Sequence, residues 1–286
     1  MDASERLLAR LAGESVDRPP NLDIMMTFAA RAIGQPLRAY HLDHRVLVDA
    51  NLAMVDAYGI DIVQTISDPY REACDMGLPV DFAEDDLPVA QGALLKEPAD
   101  LARLPSPAPE AGRRMSDRLA ATRVLHERVG GTVPVMGWVE GALAEAADLR
   151  GVSSLLLDLH DRPAWVEELL EHCTSVAIAF ARAQVAAGAD IIGLGDAIAS
   201  QMTPRAYRQF GLPYEQRIFT AVHQMGALTR LHICGNTTRI LGAMVESGAD
   251  IIDLDWMVDM RAAAAAFGQR AAPCGNFDPV ATMRDD

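Results

Sequence analysis

The chain has 286 residues, half of them hydrophobic, which suffices for one large α/β domain with a well-buried core. Its net charge of −15 disfavours binding to nucleic-acid phosphates. Four cysteines without a small-domain disulfide framework indicate a reducing compartment. No segment reaches eighteen uninterrupted apolar residues, so we expect a cytoplasmic protein that does not contact membranes.

The first half of the chain predicts a helix, two strands and an irregular excursion. Residues 1–18 contain leucines at helical spacing and predict an N-terminal covering helix. A strand-like run starts at residue 21, and a second strand is predicted over residues 60–66, after a helix that ends at Gly59. Residues 81–110 are acidic and proline-containing, which favours a surface excursion of a single domain spanning residues 1–286.

An internal repeat in the second half indicates the fold class. Gly-Ala-Asp-Ile-Ile occurs at 188–192 and again at 248–252, each time as a helix-ending glycine followed by a buried strand. Two β/α units in about sixty residues are typical of a TIM-type (β/α)8 barrel with parallel strands. We therefore predict an α/β barrel without its last β/α unit, because the chain is a fragment, a strand is missed or the barrel is open. The predicted strands lie near residues 22, 61, 134, 190, 229, 250 and 271.

One histidine and two cysteines follow predicted strands. His232 and Cys234 come after a strand at 227–231, and Cys274 comes after a strand at 269–272. This ligand set suits zinc, and three protein ligands leave a coordination position open, as in catalytic sites. Zinc would lower the pKa of a bound substrate thiol, which indicates transfer of a group onto sulfur. The alternative is that the cysteines are ordinary buried side chains and the histidine a hydrogen-bonded core residue.

At these residues the chain resembles the uroporphyrinogen decarboxylase superfamily, and within it the cobalamin-dependent methyltransferases. The shared features are Gly-Asn-Phe-Asp-Pro at 275–279, the strand end at 253–256 and Ser67-Asp68. The His-x-Cys…Cys signature is similar to that of methylcobalamin:coenzyme M methyltransferases. The arginine-rich motif of the decarboxylases is reduced to Arg31, so a substrate with many carboxylates would lack its partners.

The resemblance implies a role for the metal and two partners. His232, Cys234 and Cys274 would bind zinc, and a small thiol substrate would attack the methyl group of methylcobalamin on a separate corrinoid protein. A homodimer could cover the open barrel edge. Decarboxylation of a tetrapyrrole is the alternative activity, because Asp68 matches the decarboxylase aspartate; otherwise Asp68 is a turn residue before Pro69. A third possibility is a barrel that binds a corrinoid without turnover.

The remaining candidates are polar or aromatic side chains at strand ends. Asp255 is a candidate fourth zinc ligand or the acceptor for the His232 ring N–H. Glu140 and Asp196 are candidate catalytic residues that could orient the substrate, or else cap the following helices. The candidate cofactor contacts are Trp138, Asn236 and Asn276.

Overall fold

The computed structural model describes residues 1–278 and 280–281. Its strands are β1 (Val63–Gln64), β2 (Val80–Asp81), β3 (Val89–Ala90), β4 (Val135–Glu140), β5 (Ile191–Gly195), β6 (Leu228–His232), β7 (Ile251–Asp253) and β8 (Ala272–Cys274). Six of them form a parallel sheet in the order β1-β4-β5-β6-β7-β8, while β2 and β3 form an antiparallel pair. The predicted α/β fold with a parallel sheet is confirmed.

Helices connect the strands and cover the sheet. The α-helices are α1 (Ala3–Leu11), α2 (Met26–Ala32), α3 (Leu37–Leu42), α4 (His44–Tyr58), α5 (Arg71–Asp75), α6 (Arg113–Val129), α7 (Ala142–Arg150), α8 (Val152–Asp161), α9 (Pro163–Ala186), α10 (Pro204–Phe210), α11 (Leu212–His223), α12 (Leu241–Met244) and α13 (Met260–Phe267). Short 3-10 helices span Pro98–Arg103, Ala197–Gln201 and Val245–Ser247. Among the described residues, no helix is both long and apolar enough to cross a membrane.

Alternating residues of the strands enter two different apolar clusters. Val139, Leu194 and Leu231 pack in the cluster that includes α7, α9 and α11. Met136 and Trp138 belong to the other cluster, which also contains side chains of α1 to α4. Because successive strand residues point to opposite faces, this division covers both faces of the sheet, as parallel sheets require.

The sequence repeat is also a structural repeat. Gly188 and Gly248 adopt positive φ angles of 106° and 84°, a conformation that favours glycine. Asp190 accepts a hydrogen bond from the backbone N–H of Val135 at 2.8 Å, and Asp250 accepts one from Thr229 at 2.8 Å. In each copy the aspartate therefore ties the amino end of its strand to the neighbouring strand.

Two parts of the fold differ from the predictions. The run near residue 22 is not a strand: Asn21 O accepts a backbone hydrogen bond at 2.8 Å from Asp61 N, two residues before β1. The side chain of Gln64 donates to Asp23 O at 2.8 Å, so part of the attachment uses a side chain instead of a ladder. The 81–110 excursion contains β3 and a 3-10 helix, although its sequence predicts no regular element.

Candidate active site

The strand register places one row of residues across the carboxyl edge of the sheet. Glu140 pairs with Gly195, Gly195 with His232, His232 with Asp253, and Asp253 with Cys274. Paired residues of neighbouring parallel strands point to the same face, so these side chains share one face of the sheet. His232 and Cys274 thus end β6 and β8, with β7 between them, at one edge of the parallel sheet.

His232 is held by a carboxylate that is itself held by an arginine. The Nδ1 atom of His232 lies 2.9 Å from Oδ2 of Asp253. The Nε atom of Arg230 donates to both oxygens of Asp253, at 2.9 and 3.0 Å. Burial lowers the pKa of His232, but hydrogen bonds to Asp253 and Cys234 outweigh it and raise the pKa to about 9. Burial also opposes ionisation of Asp253, yet Arg230 and His232 hold its pKa below the usual value.

The two candidate thiol ligands lie in different surroundings. Cys234 is exposed in the loop after β6, two residues beyond His232. Cys274 is half-buried, with its Sγ 4.0 Å from Nη2 of Arg230. Burial raises the pKa of the Cys274 thiol to about 12, although Arg230 opposes this shift. Both thiols are free.

The donor chemistry suits zinc, but the donors are not gathered. In the part of the chain that the structure describes, no three His, Cys, Asp or Glu side chains are arranged to hold a metal ion. His232 is oriented through Nδ1, which leaves its other ring nitrogen as the donor, and the thiols of Cys234 and Cys274 are free. Zinc binding would therefore require side-chain rearrangement, and the site stays a prediction.

Asp255 does not occupy the position expected for the acceptor of the His232 N–H. Its oxygens accept backbone hydrogen bonds from Gly235 at 2.9 Å and Met257 at 3.1 Å. The acceptor is Asp253, because Asp253 is the register partner of His232 while Asp255 lies two residues beyond the end of β7. Asp255 instead ties the loop that carries Cys234 to the loop after β7.

Glu140 is buried beside a positive charge. Its Oε1 accepts a hydrogen bond from Nη2 of Arg71 at 2.6 Å and one from Nε1 of Trp138 at 3.2 Å. Burial raises the pKa of Glu140 to about 8; Arg71 opposes this shift, while the charge of Glu72 adds to it. Glu140 is therefore a buried carboxyl group that can hold a proton near neutral pH.

Asp196 caps a helix, but not the one that follows it. Its Oδ1 accepts a hydrogen bond from the backbone N–H of Ala144 at 2.9 Å, in the first turn of α7. Because α7 follows β4, the contact joins the end of β5 to the neighbouring β/α unit. The prediction that Asp196 caps the following helix is wrong in its choice of helix.

The predicted corrin contacts differ in accessibility. Trp138 is only 2% exposed, and its ring centroid lies 6.0 Å from that of His232, so the indole supports the site from below. Asn276 donates its side-chain N–H to the carbonyl groups of Asp255 at 3.1 Å and Val258 at 2.6 Å. Asn236 is exposed. Contact of these residues with a corrin stays a prediction, and Pro279 of the 275–279 motif lies outside the described residues.

Asp68 has the contacts of a turn residue and also those of a buried ion pair. It accepts hydrogen bonds from Tyr70 N at 3.0 Å and from the hydroxyl of Ser67 at 2.6 Å, and it pairs with Arg114. Burial opposes its ionisation, but the positive charges of Arg114 and Arg71 hold its pKa below the usual value.

The sequence reasoning gave no role at the site to Arg230, and it named Asp253 only as part of the strand end at 253–256. A signal for Asp253 is present in the repeat, because the two copies share Gly-Ala-Asp-Ile-Ile and diverge at the next residue, Gly193 or Asp253. Arg230 could have been found because it is a charged residue inside a strand that also contains Leu228 and Leu231.

Comparison with known proteins gives one family and two activities. The sequence profile of uroporphyrinogen decarboxylase (URO-D) matches residues 2–286. A uroporphyrinogen decarboxylase of Trichormus variabilis is 29% identical, covering 96% of this chain and 81% of the relative. The methylcobamide:CoM methyltransferase MtbA of Methanosarcina mazei is 30% identical, covering 98% and 83%. The structure of a methyltransferase from Methanosarcina mazei matches with a TM-score of 0.87 and 28% identity, covering 96% and 83%.

Proposed function

The chain belongs to the uroporphyrinogen decarboxylase family, and we propose that it is a zinc-dependent methyltransferase that moves a methyl group from a methylated corrinoid to a thiol. The observation that carries this proposal is the ring of His232 held by Asp253 at 2.9 Å at the carboxyl edge of the sheet, with the exposed free thiol of Cys234 two residues further along the chain. The similarity to MtbA and to the Methanosarcina methyltransferase structure supports the same branch of the family.

The requirement that this site would meet is delivery of a thiolate at neutral pH. A free thiol is only a few per cent ionised there, and the thiolate is the nucleophile. Bound zinc would meet this requirement, because it lowers the pKa of a coordinated thiol. His232, Cys234 and Cys274 would hold the metal, with His232 using Nε2 because Nδ1 faces Asp253.

The protein residues orient the donors. Asp255 bonds to Gly235 N and so orders the loop that carries Cys234. Trp138 packs beneath His232 and shields it from solvent on that side. In the net reaction the acceptor sulfur forms a bond to the methyl carbon, and the cobalt–carbon bond breaks with its electron pair remaining on cobalt. The thiol proton leaves to solvent, and the corrinoid is a substrate delivered by a partner protein.

Decarboxylation of a tetrapyrrole is the second candidate. It is favoured by the similarity to uroporphyrinogen decarboxylases and by the buried position of Asp68 after β1. The contacts of Asp68 with Arg114 and Tyr70 favour the first candidate, because they already occupy both carboxylate oxygens.

The two activities are separated by assaying both with one preparation. The protein is mixed with methylcobalamin and a series of small thiols, and the loss of the methylcobalamin absorption spectrum is followed. We expect thiol-dependent demethylation by zinc-loaded protein. Carbon dioxide release from uroporphyrinogen without demethylation would establish the second candidate, and binding of methylcobalamin without either reaction would indicate a corrinoid-binding protein.

Metal content tests the ligand set separately. We expect one zinc per chain, and loss of zinc when His232→Ala, Cys234→Ser or Cys274→Ser is introduced. Cys74→Ser is the matched control, since Cys74 lies on α5, which carries none of the three predicted ligands. Full zinc content in Cys274→Ser would remove Cys274 from the ligand set while leaving His232 and Cys234 in it.

A further inference from the structure

We propose that Asp253, anchored by Arg230, is a positioning residue that fixes which ring nitrogen of His232 faces the site. The inference rests on the proposed function, because it assigns the device that orients one of its metal ligands. Asp253 has no place in the predicted ligand set, and its role follows from the register of β6 and β7.

The geometry permits one orientation of the ring. His232 and Asp253 are direct register partners, and Nδ1 lies 2.9 Å from Oδ2 of the carboxylate. A carboxylate can only accept a hydrogen bond, so Nδ1 keeps its proton and Nε2, once it loses its own proton, becomes the metal donor. The indole of Trp138 packs against the ring and restricts its rotation.

Arg230 holds the carboxylate in place. Its Nε bonds to both oxygens of Asp253, and its Nη1 donates to the carbonyl oxygen of Leu22 at 2.9 Å. Leu22 lies in the extended segment before α2, so the guanidinium is fixed at both ends. Because Arg230 and Asp253 are both buried, each neutralises a charge that would otherwise be unpaired.

The sequence repeat indicates that the Asp253 carboxylate is specific to the second copy of the repeat. The position of Asp253 corresponds to Gly193 in the first copy, where an added Cβ would lie 2.3 Å from Cε3 of Trp138. A side chain at position 193 is thus excluded. In the second copy, the space beside His232 holds the Asp253 carboxylate, which accepts the hydrogen bond of the imidazole.

The experiment compares zinc affinity in three variants by competition with a chelator. We expect Asp253→Ala to weaken zinc binding by about 10- to 100-fold, the range for loss of such a partner. Asp253→Asn should lose less, because its amide oxygen can still accept the Nδ1 proton at nearly unchanged volume. Asp259→Asn is the control, since this exposed residue caps α13 and asparagine caps equally well. Equal zinc affinity of Asp253→Ala and the wild-type protein would overturn the proposal.

A second measurement does not depend on metal. In the metal-free protein labelled with nitrogen-15 histidine, the Nδ1 proton of His232 should be visible and protected from exchange, and Asp253→Ala should abolish this protection. His232→Gln assigns the signal among the seven histidines. An unprotected Nδ1 proton in the wild-type protein would refute the positioning role. A wild-type protein that binds no zinc but shows the protected proton would refute the metal proposal alone.

Discussion

Glu215 offers a direct test of the buried electrostatics around Asp196. It lies on α11, is 1% exposed, and its Oε2 accepts a hydrogen bond from the hydroxyl of Tyr207 at 2.5 Å. Its Oε1 has no hydrogen-bond partner among the described residues. Burial raises the pKa of Glu215 to about 7, with the Tyr207 bond opposing the shift. Burial and the charge of Glu215 also raise the pKa of Asp196 well above its usual value.

The substitution Glu215→Gln should therefore stabilise the protein at high pH only. A pKa that rises from 4.5 to about 7 on folding corresponds to about 3 kcal/mol of free energy of unfolding. Because the pKa of Glu215 is higher in the folded than in the unfolded protein, its contribution to the free energy of unfolding is fully present below pH 4.5. That contribution is lost as the pH rises through 7. Glutamine stays neutral and still accepts the Tyr207 hydrogen bond, so the variant avoids the loss.

The assay is denaturant unfolding of both proteins at several pH values from 4.5 to 8. The difference in free energy of unfolding should grow by about 3 kcal/mol in favour of Glu215→Gln across this range. Glu168→Gln on the exposed side of α9 makes the same change in formal charge and should show no comparable growth. A difference that is constant with pH would mean that Glu215 is not the buried titrating group described here.

Two further substitutions test the packing of the fold. Gly193→Ala should destabilise the protein by about 1–3 kcal/mol, because the new Cβ would overlap the indole of Trp138. Gly242→Ala is the control and should not destabilise the protein in this way, because no atom lies within 4 Å of its added Cβ. Thermal unfolding of both variants tests this difference. Asp61→Ala should cost about 1–3 kcal/mol, because it removes the buried acceptor of hydrogen bonds from Arg6, Arg18 and the backbone N–H of Asn21; a denaturation midpoint equal to that of the wild-type protein would contradict this.

Much of the fold follows from periodic features of the sequence. The two Gly-Ala-Asp-Ile-Ile copies predict β5 and β7, since a positive-φ glycine and a buried apolar run are both local properties. The strand predicted near residue 22 is wrong because Leu22 is buried and Ile24 and Met25 are half-buried without a backbone ladder, and local pattern cannot distinguish these cases. The antiparallel pair of β2 and β3 escapes prediction because two residues per strand carry no period.

The sequence predicts the sheet edge at which the candidate site lies, but not which residues hydrogen-bond to each other there. Ligand types at the ends of strands place His232 and Cys274 at the carboxyl edge, since parallel strands end on the same side. Asp253 and Asp255 have the same parity, so alternation along β7 cannot decide which one contacts His232. Only the register between β6 and β7, together with the end of β7 at Asp253, makes that choice.

Several buried carboxyl groups whose ionisation is unfavourable lie at the same carboxyl edge. Glu145 is buried on α7, directly after β4, and neither of its carboxylate oxygens has a hydrogen-bond partner among the described residues. Burial and the charge of Glu72 raise its pKa well above the usual value. Glu140 and Asp196, at the ends of β4 and β5, also have raised pKa values. Such groups lower stability unless they are protonated, and folds carry them mainly where a site needs them. The concentration of these costs at the carboxyl ends of β4 and β5, and not at the amino ends where Asp190 and Asp250 accept backbone hydrogen bonds, argues that this edge is the functional one.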